Sequence, residues 1–339
     1  MIYDNYTQRL KNIVLESDHK KNISKGIPDL HGFGGNIKNK LETIREQRNF
    51  SSKMQLRAQP LAQILHPEAL IDATVGVHPD FKHLRGSNET ENHYIVSVFI
   101  DISGSTNLFK KYDLEDNYSI TNTIQSAAIH TVVALGGHVQ RLQGDGVFAY
   151  FGGKNISHKK AVELAVTACG MFTYFIQNDL KEVFADGGVE DIKTRIGIDF
   201  GYDEEVLWAT FGLQEVIELT TLSLHTSLAS KMQSKADKNG INVGQHIKDV
   251  LGVDESFYSI ISEDDRYIFK DPEKKFWYTQ YRFNWLKFLK SLPFIGTDGN
   301  GRLYIINDAV TPSLPSVVFP KKDYNALAQM AAGNKPYLW

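Results

Sequence analysis

Between residues 94 and 283, apolar and polar positions recur with the periods of strands and of helices. Residues 95–102 are rich in β-branched and aromatic side chains, which predicts a buried strand. Residues 116–135 place apolar side chains three and four positions apart, which predicts a helix that ends at a Gly-Gly pair. The same reasoning predicts a hairpin over 138–151, helices over 159–177 and 223–236, a strand over 194–201, a strand and short helix over 241–251, and two strands within 267–283. Strands and helices in this order predict an α+β protein, with a mixed sheet and helices on its faces.

The segments on either side have weaker patterns and divide the chain into three predicted parts. Residues 1–92 are polar and predict an N-terminal helical and linker region, with helical pieces at 36–49, 54–65 and 67–75 and a loop at 31–36. Residues 93–284 form the predicted catalytic domain, and residues 285–339 a C-terminal extension. The stretch 283–294 is amphipathic with an aromatic face, so we expect it to pack on the catalytic domain or on a second subunit.

Composition narrows the classes of protein. The net charge of −3 gives no general basic surface, so we expect no nucleic-acid partner. No apolar run approaches the roughly 20 residues that span a bilayer, and the first residues lack a signal-peptide core, which together predict a cytoplasmic protein without a membrane partner. The one cysteine, Cys169, has the helical spacing of a core residue.

The stretch VFIDISGST, residues 98–106, carries the first chemical signal. An apolar strand runs into Asp101, and a small polar loop with Gly104 follows at once. Such a carboxylate can hold a divalent cation, and free N–H groups in the loop can face phosphate oxygens. The alternative is that Asp101 merely caps the next helix.

A second carboxylate, Asp145, is predicted at the tip of the hairpin, between Gly144 and Gly146. If the hairpin lies beside the first strand, Asp101 and Asp145 converge. Two convergent carboxylates repel each other unless cations lie between them, and such a pair can hold two divalent ions roughly 3.5–4 Å apart. This pairing favours a site for in-line attack on a phosphorus atom over an ordinary turn.

These motifs together resemble the catalytic domain of class III nucleotidyl cyclases. The resemblance covers residues 94–283 and rests on three blocks: Phe99, Asp101, Ile102, Gly104, Ser105 and Thr106 in the first strand and loop; GGHVQRLQGDGVFAYFGG around the hairpin; and Arg195, Gly197, Ile198 and Gly201 in a later strand. The resemblance implies the fold of that family, a sandwich on a ferredoxin-like core.

It also implies roles for individual residues. Asp101 and Asp145 would bind two Mn²⁺ or Mg²⁺ ions, with the carbonyl group of Ile102 as a further ligand. Phe99 and the loop residues Gly104, Ser105 and Thr106 would contact the nucleoside triphosphate. Because the family builds its sites between two catalytic domains, the chain would form a homodimer with sites at the interface.

Four positions depart from the family's pattern. The purine-selecting lysine is Arg141 here, and the purine-selecting aspartate aligns with Thr220. The asparagine and arginine that act on the transition state align with Ser227 and Lys231. We expect Arg141 to contact the base rather than serve a structural salt bridge. Lys231 could carry the transition-state charge, as a point charge without the fork of arginine.

The departures indicate a rebuilt base pocket or a degenerate binder that no longer catalyses. The intact carboxylates and loop favour the first, and the pattern resembles the pyrimidine cyclases of bacterial anti-phage systems. An arginine with no acidic partner nearby suits the two carbonyl oxygens of uracil, so UTP is the expected substrate and cyclic UMP the product. A cytidylate cyclase, an adenylate or guanylate cyclase and a non-catalytic nucleotide sensor remain alternatives. The resemblance further implies a second messenger that activates a separately encoded effector.

Overall fold

An eight-stranded mixed sheet forms the centre of the protein. The computed structural model describes residues 3–4, 6–14, 75–186, 192–261, 268–271 and 276–306. Its helices are α1 (6–14), α2 (Ser105–Leu108), α3 (Leu114–Ala134), α4 (His158–Tyr174), α5 (Leu180–Asp186), α6 (Leu224–Lys235), α7 (Gln245–Leu251) and α8 (Trp285–Ser291). Its strands are β1 (Glu91–Asn92), β2 (Ile95–Ser103), β3 (His138–Gln143), β4 (Gly146–Phe151), β5 (Lys193–Gly201), β6 (Leu207–Leu213), β7 (Val216–Leu222), β8 (Gly240–Gly244), β9 (Tyr258–Ile260), β10 (Ile268–Asp271), β11 (Phe276–Phe283), β12 (Ile295–Thr297) and β13 (Leu303–Ile305).

The strand order of the main sheet is β10-β11-β8-β5-β2-β4-β3, with β9 paired to β11. Only β5 and β8 run parallel among the pairs of this sheet in the described residues. The segment from β2 through α3, β3, β4 and α4 to β5 places its four strands in the order β5-β2-β4-β3, which is the ferredoxin-like arrangement. The predicted α+β class, mixed sheet and ferredoxin-like core are confirmed.

One face of the sheet is covered by α3 and α4. Side chains of β2 alternate, so Val96, Val98, Ile100 and Ile102 are buried on this face against the apolar stripe of α3. Helix α1 joins the same core through its buried residues Tyr6 and Leu10. Just before it, the ring of Tyr3 stacks on Phe175 at 4.1 Å, and the hydroxyl group of Tyr3 lies 2.7 Å from Thr131 Oγ1. The face is therefore a closed hydrophobic core.

The opposite face carries the next side chains along β2, which are Ser97, Phe99 and Asp101. Helix α6 covers one part of it at very close range: a Cβ atom on Gly197 of β5 would lie 2.0 Å from the carbonyl oxygen of Ala229. A small sheet, β1-β6-β7, covers another part. At the end of β2, Asp101 is partly exposed.

Most predicted elements are confirmed, with ends that differ by a few residues. The amphipathic stretch after residue 283 forms α8, which packs on the catalytic domain: Leu289 lies 3.2 Å from a Cβ atom built on Gly170 of α4. Cys169 is fully buried, and burial raises the pKa of its thiol. Within the described residues no helix combines the length and hydropathy of a membrane span. The predicted pieces at 31–36, 36–49, 54–65 and 67–75 lie outside the described residues, apart from residue 75.

The hairpin of β6 and β7 was not predicted. Its two-residue connection is Gln214-Glu215, and Gln214 adopts a left-handed backbone with φ 53°. Two-residue hairpin turns are ordinarily recognised by Gly, Asn or Asp at such positions. Several residues beside the turn are also exposed, so the apolar alternation of a half-buried strand is missing there.

Candidate functional site

Asp101 lies where β2 leaves its pairing with β4. The last pair between these strands is Ile100 with Val147, whereas β2 continues to pair with β5 as far as Ser103. The neighbour of Asp101 on β5 is Arg195, whose Nη2 and Nε atoms lie 2.5 and 3.2 Å from Oδ2 of Asp101. Both bonds use the same carboxylate oxygen, so this ion pair does not occupy Oδ1.

Asp145 lies in the turn between β3 and β4, as predicted. Gly144 has φ 60°, a conformation that glycine adopts without strain. A Cβ atom on Gly146 would lie 2.9 Å from the carbonyl oxygen of Ile100 and 4.0 Å from Cα of Asp101, so the turn adjoins the end of β2. The hairpin therefore brings the residue before Gly146 next to the residue that follows Ile100. The hypothesis that Asp101 and Asp145 act together remains a proposal.

A polar side chain from α3 holds this turn. The amide nitrogen of Gln125 lies 3.0 Å from the carbonyl oxygen of Gly144 and 3.1 Å from that of Gly146, and it donates to both. Gln125 is buried on α3, which also buries the polar residues Asn117 and His130. Because the two carbonyl groups belong to the residues on either side of Asp145, Gln125 fixes the backbone that carries this carboxylate.

The loop after β2 enters the short helix α2 at Ser105. Gly104 precedes it with φ 100°, so a side chain here would be strained. Thr106 is exposed, and Gly104 and Ser105 are half-buried. The first N–H groups of a helix have no acceptor within the helix, so this loop presents donors of the type that bind anions. We call Asp101, Asp145 and residues 104–106 the carboxylate end of the site.

The carboxylate end fits hard divalent cations by its donor chemistry. Mg²⁺ and Mn²⁺ prefer oxygen ligands, and two carboxylates on adjoining backbone segments supply them. Asp101 keeps 28% of its side-chain area exposed, so an ion could reach it. Ile102 is buried, and its carbonyl group stays a proposed ligand.

Four residues before Asp145, Arg141 of β3 forms an ion pair with Glu218 of β7. The Nε atom of Arg141 lies 3.0 Å from Oε1 of Glu218, and its Nη2 atom bonds to Oε2. Gln140 donates to Glu218 Oε1 at 3.2 Å and to the carbonyl oxygen of Leu219 at 2.8 Å. These contacts join the edge of the main sheet to the small sheet. The prediction that Arg141 has no acidic partner is wrong, because Glu218 belongs to the hairpin that the sequence did not reveal.

The ion pair fixes the charge of both partners. The hydrogen bonds that Arg141 donates to Glu218 raise the pKa of the Arg141 guanidinium. Burial opposes ionisation of Glu218, but the bonds from Arg141 and Gln140 outweigh it and lower the pKa of this carboxyl group. The pair therefore presents a fixed set of donors beside a fixed set of acceptors, and both side chains are partly exposed.

A line of aromatic rings connects the two ends. Phe99 stacks on Phe148 with ring centroids 4.2 Å apart, and Phe148 contacts Tyr150 edge to face at 4.8 Å. The hydroxyl group of Tyr150 lies 3.1 Å from Oγ1 of Thr220. Thr220 is thereby placed on the same side of the sheet as Phe99. We call Arg141, Glu218 and Thr220 the base end of the site.

Ser227 and Lys231 lie one turn apart on α6, and both are exposed. The Oγ atom of Ser227 donates to the carbonyl oxygen of Ser223 at 3.2 Å. The helix turns other residues toward the sheet: Thr226 bonds to Ser97 of β2 at 2.8 Å. The recorded contacts in the described part of the chain do not join Ser227 or Lys231 to either carboxylate.

Sequence reasoning missed Gln125, Glu218, Phe148 and Tyr150. The local signal at Gln125 is a polar residue between Ile124 and Ala127 of the predicted helix. Phe148 and Tyr150 occupy alternate positions of a predicted strand but have no chemistry of their own. Glu218 had no signal, because its importance depends on a contact with β3 that no local pattern reveals.

Comparison with known families matches residues 88–279 to the adenylate and guanylate cyclase catalytic domain. One relative, described as a cytidylate cyclase from Staphylococcus aureus, is 36% identical over 269 residues, which are 77% of this chain and 62% of that protein. A second, described as a cytidylate cyclase from Escherichia coli, is 37% identical over 230 residues, 65% of this chain and 50% of that protein. The chain thus spans between half and about three fifths of the length of these relatives.

Among solved structures, the adenylyl cyclase CyaB from P. aeruginosa is similar with a TM-score of 0.47 and 20% sequence identity. The similarity covers 57% of this chain and 95% of that chain.

Proposed function

Because the chain belongs to the family of adenylate and guanylate cyclase catalytic domains, we propose that it cyclises CTP to 3',5'-cyclic CMP and diphosphate. The ion pair of Arg141 with Glu218 carries this proposal. Both relatives described as cytidylate cyclases point to the same base. The pyrimidine class agrees with the prediction from sequence, whereas the base we propose is the alternative given there.

The donor and acceptor pattern of the base end matches cytosine. Cytosine offers an amino group as donor, with N3 and O2 as acceptors beside it. A carboxylate only accepts and a guanidinium only donates, so Glu218 can take the amino hydrogen while Arg141 donates to N3 or O2. Uracil places a carbonyl oxygen where cytosine has the amino group, and this oxygen would face the carboxylate of Glu218. Uracil was expected because Arg141 had no predicted acidic partner, and the contact with Glu218 removes that reason.

At the carboxylate end, this chain's residues would bind and orient the triphosphate. Asp101 and Asp145 would hold two Mn²⁺ or Mg²⁺ ions, with the Ile102 carbonyl group, and such ions supply charge neutralisation and a lowered pKa of a bound hydroxyl group. The N–H groups around Gly104, Ser105 and Thr106 would hold phosphate oxygens. The ribose 3'-oxygen attacks the α-phosphorus atom, its proton leaves, and the bond from phosphorus to the diphosphate oxygen breaks.

The proposal includes a homodimer. Ser227 and Lys231 are exposed on α6, so they are available to a site on a second copy of the chain, where Lys231 would face charge on the transition state. The hairpin of β6 and β7 also exposes apolar side chains, with 75% of Leu213 and 82% of Val216 accessible. Apolar patches of this kind are typical of interfaces.

From the resemblance to anti-phage cyclases, we extend the proposal to the role of the product. Cyclic CMP would be a second messenger that activates a separately encoded effector in infected cells. A uridylate cyclase and a nucleotide sensor without catalysis are the two functions against which this proposal is tested.

The test is product formation from each nucleoside triphosphate by the purified full chain with Mn²⁺ or Mg²⁺, read by mass spectrometry. We expect cyclic CMP as the main product. Cyclic UMP as the main product would restore the uracil prediction, and turnover of ATP or GTP alone would refute the pyrimidine class. Binding of nucleotide without any product would indicate a sensor.

A further inference from the structure

Among the described residues, one group of side chains has the composition of a metal site outside the carboxylate end. It consists of Glu205, His225 and His246, whose potential ligand atoms all lie within 4.8 Å of one another. Glu205 ends a short turn after β5, His225 lies in the first turn of α6, and His246 in that of α7. The group adjoins Asp199 of β5, four residues from Arg195 and so about 13 Å along the strand from the partner of Asp101.

The distances between the potential ligand atoms suit an ion with tetrahedral coordination. The Nε2 atom of His225 lies 3.3 Å from Oε2 of Glu205, and Nδ1 of His246 lies 3.5 Å from the same oxygen. Two ligands that bind one zinc ion at about 2.0–2.1 Å are separated by about 3.3–3.4 Å in tetrahedral geometry. Both distances to Oε2 of Glu205 are thus close to those of ligands that share one ion, and three protein ligands leave a fourth position for water.

A buried carboxylate orients one of the histidines. Asp199 is fully buried, and its Oδ2 atom lies 3.0 Å from Nδ1 of His225, which donates to it. With Nδ1 bonded to Asp199, Nε2 is the ring nitrogen of His225 that faces Glu205. Metal-binding histidines usually donate their other ring N–H group to a carboxylate in this way.

Further contacts fix that carboxylate. The hydroxyl group of Tyr278 donates to Oδ1 of Asp199 and accepts from the backbone N–H of His246. A Cβ atom on Gly244 would lie 2.0 Å from Oδ1 of Asp199, so glycine is required there. The contacts that support the group are thus built around Asp199. Glu205 and His246 are partly exposed, so an ion can reach the group from the surface.

The competing account is a hydrogen-bond network without metal. Nδ1 of His246 lies 3.0 Å from the carbonyl oxygen of Phe200, and Oε2 of Glu205 accepts from the backbone N–H of Tyr202 at 2.9 Å. Two carboxylates, Asp199 and Glu205, face His225 from opposite sides, so they require positive charge between them. In the network without metal, a proton on His225 supplies this positive charge. In the alternative, a metal ion supplies it.

We propose that Glu205, His225 and His246 bind one Zn²⁺ ion per chain, with Asp199 as the residue that orients His225. Two imidazole nitrogens and one carboxylate oxygen form a donor set that zinc favours over Mg²⁺. The ion would tie the first turn of α6 to α7 and to the turn after β5. Because α6 also carries Ser227 and Lys231, the ion would brace the helix that is proposed to serve the second copy.

The test is metal binding by the full chain after removal of metals with a chelator. We expect calorimetry to find one tight Zn²⁺ site per chain, and Co²⁺ at that site to give the intense visible absorption of a tetrahedral complex. Both should persist in Asp101→Asn, which removes an oxygen ligand from the carboxylate end. His246→Gln and Glu205→Gln should each weaken Zn²⁺ binding about 10- to 100-fold or more.

His83→Gln is the matched control, since His83 Nε2 lies 3.2 Å from a glutamate oxygen of Glu91 and should not affect zinc. Zinc should also raise the melting temperature of the unmodified chain and of this control. The proposal is overturned if the unmodified chain binds no stoichiometric zinc, or if its Co²⁺ complex shows the weak bands of octahedral oxygen ligation. It is equally overturned if folded His246→Gln and Glu205→Gln bind zinc normally, or if Asp101→Asn abolishes binding. If a variant does not fold, the Co²⁺ spectrum of the unmodified chain still tests the proposed zinc site.

Discussion

The two ends of the candidate site are built by different means. The carboxylate end adjoins two central strands, and its position follows from backbone pairing between β2 and β4. The base end lies at the sheet edge, where side chains of β3 meet those of β7 from a second sheet. In the proposed function, the carboxylate end would therefore serve any nucleoside triphosphate, whereas the base end would depend on a few exchangeable side chains. Chemistry and base choice should accordingly respond to different substitutions.

The largest expected effect belongs to Asp145→Asn. Loss of this carboxylate should lower kcat roughly 100- to 1,000-fold or more for every nucleotide, because the charge that holds the cations is removed. Steady-state kinetics with CTP and UTP measure this, and Asp249→Asn, an exposed residue of α7, is the control. An Asp145→Asn enzyme with nearly normal turnover would separate Asp145 from the chemistry.

Arg141→Met should act at the base end alone. The variant loses charged hydrogen bonds to the base, so kcat/KM for CTP should fall about 10- to 100-fold. The preference for CTP over UTP should largely disappear, while the kcat of the residual reaction changes less than KM. Equal loss with all four nucleotides would mean that Arg141 supports only the fold.

Gln125→Leu should act at the carboxylate end alone. The variant releases the turn that carries Asp145, and kcat should fall about 10-fold because the carboxylate is no longer held in place. The ratio of CTP to UTP turnover should stay as it is. Gln125→Glu, which keeps the size but loses the amide donor, should behave similarly. A changed base preference in either variant would contradict the separation of the two ends.

The smallest expected effect is that of pH on the preference for CTP over UTP. Glu218 must be ionised to accept a hydrogen bond from an amino group, and its lowered pKa keeps it ionised below the usual range of glutamate. The ratio of kcat/KM for CTP and UTP should therefore change less than about twofold from pH 8 to pH 6, well above the ordinary glutamate value of about 4.3. A steep decline of this ratio over that interval, measured in mixed substrates, would argue against an ionised Glu218 as the contact.

The sequence was sufficient to predict that Asp101 lies at the end of a strand and Asp145 in a hairpin turn, while their role as a pair remains a proposal. Asp101 and its loop are contiguous, and Asp145 lies at a glycine-marked turn, so local signals locate both. The motif resemblance to class III cyclases is confirmed by the family match over residues 88–279. The α+β class followed from apolar periodicity in α3, α4 and the central strands, whereas the ferredoxin-like core followed from the resemblance to class III cyclases.

The base end could not be predicted in the same way. The turn Gln214-Glu215 does not carry the usual residues of a hairpin, so β6 and β7 left no clear signal. Without β7, Glu218 could not be placed beside Arg141, and the argument for uracil depended on that missing contact. Side-chain pairs between distant segments are decided by tertiary packing, and a single sequence does not contain them in readable form.

The most direct test of cytosine recognition compares the unmodified chain with Glu218→Gln in a mixture of equal CTP and UTP. An amide in place of the carboxylate offers a donor to the O4 atom of uracil, and contacts of this kind discriminate by about 1–3 kcal/mol, or ~5- to 150-fold. Glu215→Gln, in the exposed turn of the same hairpin, is the control. We expect the unmodified chain and the control to form mainly cyclic CMP, with the product ratio moving toward cyclic UMP by at least about fivefold in Glu218→Gln. An unchanged ratio in that variant would contradict the assignment of Glu218 to the base.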